Sequence, residues 1–456
     1  MIKKLIIPLA VLCYTGLQGK AVRAAEPFVP GKVIGRVSCK ADPAQSYALY
    51  IPVRGNKEPL PVIYFFDAHG AGALPLNKYK ALADVYGFIL IGSNNSKNGN
   101  DWSTTETIWD RLFDDTRKRL AINENRIYTG GFSGGAKVAG YVAINHPVVK
   151  GVIANGAGLP DGVSAGDFRF SFTAITGEGD MNMTELVAIT GDLDKTRTRH
   201  RLLFFDGIHE WAPEATMRTA FAGLELDAMQ GGLITKDARA INGYTGRSKG
   251  RLEDDIRKGE LIRAHRECEV SVSYLSGVTG EADWFRQRLV ALDRDQEYQK
   301  QLQVQQRLLV TEQNTKAAYM QQFEHGDIAY WTGVIDDLRT KAATAGDGRT
   351  RTAASAMYQR LLAYLSLAFY SISNQLINGN RNDAAQHFVQ LYKMADPANS
   401  EAWIFSAILH ARGGDDHAAA DDLLKAAANG FNDKGRLRQQ PEFRRIDLAR
   451  IEAAMH

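Results

Sequence analysis

Residues 126–147 read RIYTGGFSGGAKVAGYVAINHP, and the character of the chain changes twice within them. A short β-like run, Ile127-Tyr128-Thr129, gives way to a turn through Gly130-Gly131-Phe132-Ser133-Gly134-Gly135. The chain then leaves as a helix of small and apolar residues, which ends at His146-Pro147 because the residue before a proline is pushed out of helical geometry. Gly131-Phe132-Ser133-Gly134-Gly135 fits G-x-S-x-G, a pattern that sets a serine at the tip of a sharp strand-to-helix turn. Such a turn needs neighbours without a Cβ, so that strand and helix can close beneath the serine. In a chain with 42 glycines the pattern alone decides nothing, and the sequence on either side has to supply the context.

Working outward, β-like runs alternate with helical patterns. Lys32–Cys39 and Ser46–Ile51 read as an antiparallel start. Val62–Phe66 is a buried strand leading into Asp67-Ala68-His69-Gly70-Ala71-Gly72. A helix around Asn77–Val85 precedes the strand Phe88–Ile91. Thr105 to Leu120 is helical, with Ile108, Trp109, Leu112, Phe113 and Leu120 on one apolar face. The strand before Ser133 comes next, followed by Val149–Ile153, Phe170–Ile175 and Arg201–Phe205. Strands separated by helices predict a mostly parallel sheet of about eight strands, covered on both sides, with the glycine-rich turn after the fifth.

That count and order resemble the α/β-hydrolase fold over about residues 30–220. The wording is most similar to the branch with polyhydroxyalkanoate depolymerases, feruloyl esterases and related secreted carboxylesterases. The branch's ordered signatures stand here as His69-Gly70, Arg126-Ile127-Tyr128, Gly177-Glu178-Gly179-Asp180 and Gly207-Ile208-His209. Each follows a strand end or leads into one, and in open parallel sheets ligands sit beyond the carboxyl ends of the strands. The resemblance implies a triad in the order Ser133, Asp180, His209. A serine hydroxyl needs a base within hydrogen-bond reach, and the base needs an orienting carboxylate. Glu178 and Asp206 are rival acids, and His146 and His200 rival bases. An oxyanion would be held by the backbone N–H of Gly134 and by that of Gly70 or Ala71. His69 reads as a turn-shaping residue at the substrate side, and Trp102 and Trp211 either line the cleft or pack. No metal or organic cofactor is called for. Only residues 156–167 separate the sixth and seventh strands, which is too short for the lid that lipases insert there. An open cleft for bulky or polymer-derived esters is expected, without interfacial activation.

At 456 residues the chain exceeds one ordinary core, and 45% hydrophobic with 23% charged residues is a globular composition. Residues 1–24 read as a secretory signal: Lys3 and Lys4, an apolar run from Leu5 to Leu17, and Val22-Arg23-Ala24 at the cleavage site. A periplasmic or extracellular destination follows. The leader holds four cations and no acid, so losing it takes the formal charge from +3 to −1. The basic balance thus belongs to the leader, and neither nucleic acid nor an anionic membrane is indicated as a partner. Cys39 and Cys268 would remain, either paired by export or as two buried thiols.

Eleven of the thirteen prolines fall at or before Pro213, and none between 214 and 396, which suits long helices. A catalytic domain over 25–230, a charged and exposed connector over 231–280, and an α-helical domain over 281–456 are expected. Ala384, Phe388 and Pro397 are followed by Ala419, Leu423 and Ala426 at a spacing of about 34–35 residues, and the last repeat runs from about Pro397 to Phe431. With Trp403 between them, they resemble a tetratricopeptide-type helical hairpin, whose small residues let helices approach closely. Such arrays bind a protein partner or pack on a neighbouring domain. Besides ester hydrolysis, the same triad would serve a serine peptidase, and an inactive hydrolase acting through its helical repeats is the non-enzymatic alternative.

Overall fold

The computed structural model describes residues 28–53, 58–343 and 352–455, so the leader expected over 1–24 lies outside the described residues. The first half of the chain supplies eight strands. They are β1 Ile34–Ser38, β2 Ser46–Tyr50, β3 Leu60–Phe66, β4 Ile89–Ser93, β5 Ile122–Phe132, β6 Val149–Asn155, β7 Ser171–Gly177 and β8 His200–Phe205. They form one sheet in the order β1-β2-β4-β3-β5-β6-β7-β8. β2 runs antiparallel to both neighbours, and every other pairing is parallel. Strand order, the single antiparallel strand β2 and the strand-to-helix turn after β5 are those of an α/β-hydrolase fold.

Alternation along the strands divides the core in two, because successive side chains point to opposite faces. Val62, Tyr64 and Phe66 of β3 join Ile89, Ile91, Ile127, Val152 and Phe172 on one face. Ile63 and Phe65 join Leu90, Tyr128, Ile153 and Ile175 on the other. The first face is covered by α2 Trp102–Arg119, α3 Gly134–Asn145 and α4 Met183–Leu193, and the second by α1 Ala73–Tyr86 and α5 Glu214–Gln230. α3 presents Ala136, Ala139, Val142 and Ala143 to the sheet, and these small residues let it lie close beneath β5.

The stretch 231–280 departs from the exposed connector expected of it. It holds α6 Ala238–Lys258 and α7 Leu261–Leu275, followed by α8 Glu281–Asp293. In α6 the buried stripe is Ile241, Tyr244, Thr245, Ser248 and Leu252, at spacings of three and four. Two of the five are small polar residues, so the stripe is hard to see in a charged sequence. α7 closes the edge of the sheet, where β8 would otherwise offer unpaired carbonyls. Ser273 Oγ donates to His200 O at 3.2 Å, and the Arg199 guanidinium donates to Ser273 O and Tyr274 O at 2.7 and 3.0 Å. Arg201 makes a two-pronged ion pair with Asp227 at 2.8 and 2.7 Å, beneath the Tyr274 ring. The apolar packing of the sheet therefore continues through Cys268, Tyr274 and Phe285 to Tyr298.

Tyr298 lies on α9 Gln296–Gln322, whose 27 residues span about 40 Å at 1.5 Å per residue. Residues 281–322 thus form two helices, divided where Asp295 caps α9 through Glu297 and Tyr298 N–H. The far end of α9 reaches a second core through Tyr319. That core joins α10 Ile328–Ala343, α11 Ala353–Asn378, α12 Asn382–Ala395, α13 Ser400–Arg412, α14 Asp416–Ala428, α15 Lys434–Gln439 and α16 Leu448–Ala453. α13 and α14 pack as a helical hairpin with Ala402, Ala407, Ala411, Ala419, Ala426 and Ala427 buried.

Candidate active site

β5 runs through Gly130, Gly131 and Phe132 before it turns, so the turn is sharper than the sequence suggests: Ser133 alone makes it. Ser133 has φ 54° and ψ −125°, and with Asn380 is one of two non-glycine residues with positive φ among the described residues. A backbone held there costs on the order of 1–3 kcal/mol and needs support. The support is backbone packed on backbone. A Cβ on Gly131 would stand 2.0 Å from Gly135 O, and one on Gly135 would stand 2.0 Å from Phe66 O. Ser133 N–H also donates to Asn155 O at the end of β6, at 2.9 Å.

The other two triad candidates arrive from the next strand ends. Asp180, fully buried, follows β7; its Oδ1 lies 2.9 Å from His209 Nδ1 and accepts Asn182 N–H at 2.8 Å. His209 follows β8, with Nε2 2.9 Å from Ser133 Oγ. A carboxylate can only accept, so Nδ1 carries the hydrogen, which leaves Nε2 free to accept from the serine hydroxyl. The ring packs against Phe132, with centroids 4.7 Å apart. Gly156, at φ +70°, passes behind it, where a Cβ would come within 3.1 Å of His209 Cε1.

The rival residues are engaged elsewhere. Glu178 pairs with Arg266 at 2.7 Å, and Asp206 lines a cavity of about 230 Å³ between β8, α5, α6 and α7. His146 caps the far end of α3 and lies 2.8 Å from Glu106, while His200 Nε2 lies 3.0 Å from Asp194.

Sequence reasoning passed over Asn155, and the motif offers no sign of it. It is fully buried; its Oδ1 accepts Ala212 N–H at 2.7 Å, and its Nδ2 donates to Glu210 O at 3.2 Å. One residue therefore ties the Ser133 turn to the loop that carries His209. Asp67 was passed over as well. It is buried at the end of β3 and accepts His69 N–H at 2.8 Å, Trp211 Nε1–H at 2.9 Å and, more loosely, Ala71 N–H at 3.4 Å. Burial pushes the Asp67 carboxyl up, but the hydrogen bonds from His69 and Trp211 outweigh it and hold the group below its ordinary value. His69, 80% exposed at its side chain, is raised chiefly by its hydrogen bond to Asp67.

Around this turn several expectations shift. Trp211 does not line a cleft: it is buried among Phe65, Tyr79 and Phe132, holding Asp67. Trp102 starts α2 and stacks flat on Tyr141 with centroids 4.5 Å apart, partly exposed. Gly70 N–H is already given to Asp67 O at 3.1 Å. Ala71, with its long contact, is the less committed of the two donors. Gly134 opens α3, and a first-turn N–H has no intrahelical acceptor. The exposed side chain of Asn98 stands against Gly134, its Oδ1 1.8 Å from where a Cβ would be. Cys39 and Cys268 are both free and buried, in different cores. Burial, helped by nearby carboxylates, pushes their thiols up to about 11 and about 12. No helix among the described residues is long and apolar enough to cross a membrane.

No protein-family model and no curated protein sequence matches the chain. Among solved structures, it is similar to a hyperthermophilic esterase from Pyrobaculum calidifontis, with 15% identity, 44% of this chain and 85% of that one covered, and a TM-score of 0.36. It is similar also to FphF, a fluorophosphonate-binding serine hydrolase of Staphylococcus aureus, at 11% identity over 43% of this chain and 99% of that one, TM-score 0.37. Est1E from Butyrivibrio proteoclasticus gives 12% identity over 43% and 98%, TM-score 0.34. Each match covers less than half of this chain, and the fold assignment rests on the strand order above.

Proposed function

We propose that the chain is an exported serine hydrolase acting on carboxylic esters. One observation carries the proposal: Asp180, His209 and Ser133, distant in sequence, stand in a continuous hydrogen-bonded row with both links at 2.9 Å. Ser133 Oγ attacks the ester carbonyl as His209 Nε2 takes its proton, and Asp180 steadies the imidazolium that forms. Gly134 N–H and Ala71 N–H, the latter leaving its loose bond to Asp67, receive the oxyanion; donors so placed are worth about 3–4 kcal/mol each. His209 then protonates the departing alcohol, and water, activated by the same imidazole, releases the acid from Ser133. No helix lies between β6 and β7, which supports access for bulky or polymer-derived esters from that side. The helical half is read as a tetratricopeptide-like array packed against the hydrolase half.

Purified protein is expected to hydrolyse a short-chain aryl ester, and Ser133→Ala to lower kcat by roughly 10⁴-fold or more without unfolding. Cleavage of peptides but not esters would transfer the same triad to peptide bonds. Failure of Ser133 to react with a fluorophosphonate would end the hydrolase proposal and leave a protein that works through its helical surface.

A further inference from the structure

The turn that carries Asp180 is gripped from outside the sheet half. Glu178 N–H donates to Phe205 O at 2.9 Å, Gly179 N–H to Gly207 O at 2.8 Å and Asp180 N–H to Gly177 O at 3.1 Å. The peptide between Glu178 and Gly179 therefore has its N–H on the loop leading to His209. Its carbonyl points the other way, and Arg360 of α11 donates to it from NH1 at 2.5 Å, across 182 residues of sequence.

Arg360 is itself fixed. It is 3% exposed, and its Nε and NH2 donate to Glu312 Oε2 on α9 at 2.9 and 2.7 Å. Glu312 is fully buried, and Lys316, one turn on, lies 2.7 Å from its other oxygen. A buried Arg–Glu pair costs desolvation that a pair of apolar residues would not. Stability is thus a poor reason for it, whereas aim is a good one: a guanidinium held by two bonds to a carboxylate can direct its remaining donor with little freedom. On the same residue, Arg266 of α7 meets the Glu178 carboxylate at 2.7 Å and lies over the Phe204 ring. The helical half also approaches the opposite side of the site, where Glu401 favours and Arg436 opposes the charge on His69.

We propose that Arg360 is a positioning residue for Asp180 and His209, acting through the Glu178–Gly179 peptide, so that the helical half forms part of the active site. The inference rests on the hydrolase function proposed above. A displacement of this peptide moves the Asp180 turn and the His209 loop together, because the peptide belongs to the first and its N–H is bonded to Gly207 O at the start of the second. The consequence falls on the aim of the imidazole at Ser133 Oγ, which sets kcat, rather than on the cleft that binds the ester.

The test uses the full chain. Arg360→Met alone leaves Glu312 buried with only Lys316 beside it and is expected to destabilise. Arg360→Met combined with Glu312→Met removes both charges, and Lys316 can extend to solvent. The double variant is expected to keep its circular dichroism and melting temperature while kcat for an aryl ester falls about tenfold or more, with KM within about twofold. The low-field proton resonance of His209 Nδ1–H is expected to move or broaden, a change that bulk destabilisation does not produce in a folded protein. A folded double variant with unchanged kcat and an unmoved resonance would overturn the inference and leave the hydrolase proposal intact. If the wild type neither hydrolyses esters nor reacts with a fluorophosphonate, the functional proposal fails instead. The His209 resonance then still reports, without turnover, whether Arg360 holds the acid turn.

Discussion

At Ser133 the chain is held by backbone packed on backbone, whereas the Asp180 and His209 loops, bonded to each other through Gly179 N–H, are also braced by side chains that arrive from remote parts of the sequence. The serine turn closes because Gly131 sits on Gly135 and Gly135 on Phe66, with no atoms to spare. The Asp180 and His209 loops are braced by Asn155 from β6, by Arg266 from α7 and by Arg360 from α11. Backbone contacts of this kind are all or nothing, since the smallest addition meets an atom that cannot rotate away. Side-chain braces can be removed one at a time, and each loss is graded.

The sharpest way to break this contrast is Gly135→Ala. Its Cβ would stand 2.0 Å from Phe66 O, so either β3 and α3 part or Ser133 leaves its φ of 54°. A loss of about 3 kcal/mol or more is expected, together with loss of fluorophosphonate labelling at Ser133. A variant that melts and labels like the wild type would show that the turn has slack. Asn155→Ala comes next. It leaves Ala212 N–H without its acceptor and Glu210 O without its donor, both beneath the His209 loop. Destabilisation of about 1–3 kcal/mol is expected, as for a buried polar group left unpaired, with kcat reduced more than KM is raised. Since Ser133 N–H bonds to the backbone oxygen of residue 155, the serine turn keeps its support in that variant. Equal damage to both loops would erase the distinction between them.

The same contrast explains what the sequence discloses. The serine turn is written in six consecutive residues, Gly130 to Gly135, because the requirement for missing Cβ atoms leaves glycines in fixed places. Asp180 and His209 are legible at one remove, as polar residues just beyond strand ends, where the sheet topology must bring them together. Their braces are not legible. Nothing local to Asn155, Arg266 or Arg360 says which loop it will reach, since that depends on packing among elements up to 182 residues apart. α6 reads as part of a connector for a related reason: Thr245 and Ser248 interrupt the buried stripe of Ile241, Tyr244 and Leu252, which blurs the period by which amphipathicity is recognised. Trp211, which the sequence leaves as either a cleft wall or a packing residue, packs. An aromatic two residues after His209 suggests a substrate wall, yet its indole N–H is spent on Asp67 in a buried aromatic cluster.

Asp67 gives the smallest effect and the one with a sign set by pH. Its carboxyl is lowered by the hydrogen bonds of His69 and Trp211, so its contribution to stability is present above the ordinary carboxylate value and is lost as the pH falls through the depressed one. His69 is raised, chiefly by Asp67, so its share is complete below the ordinary imidazole value and is lost as the pH rises through the elevated one. Both contributions coexist only between roughly pH 4 and 6.5. The difference in stability between wild type and Asp67→Asn, measured by urea unfolding, is therefore expected to peak in that window. It should shrink steeply in acid and only slightly towards alkaline pH, because His69 is mostly in solvent and exposed pairs contribute about 1 kcal/mol or less. A difference that stays flat from pH 3 to 9 would mean that Asp67 is not the charged hub of the turn after β3. The Ser133 turn would then face a neighbour held by backbone alone, and side-chain bracing would be confined to the Asp180 and His209 loops.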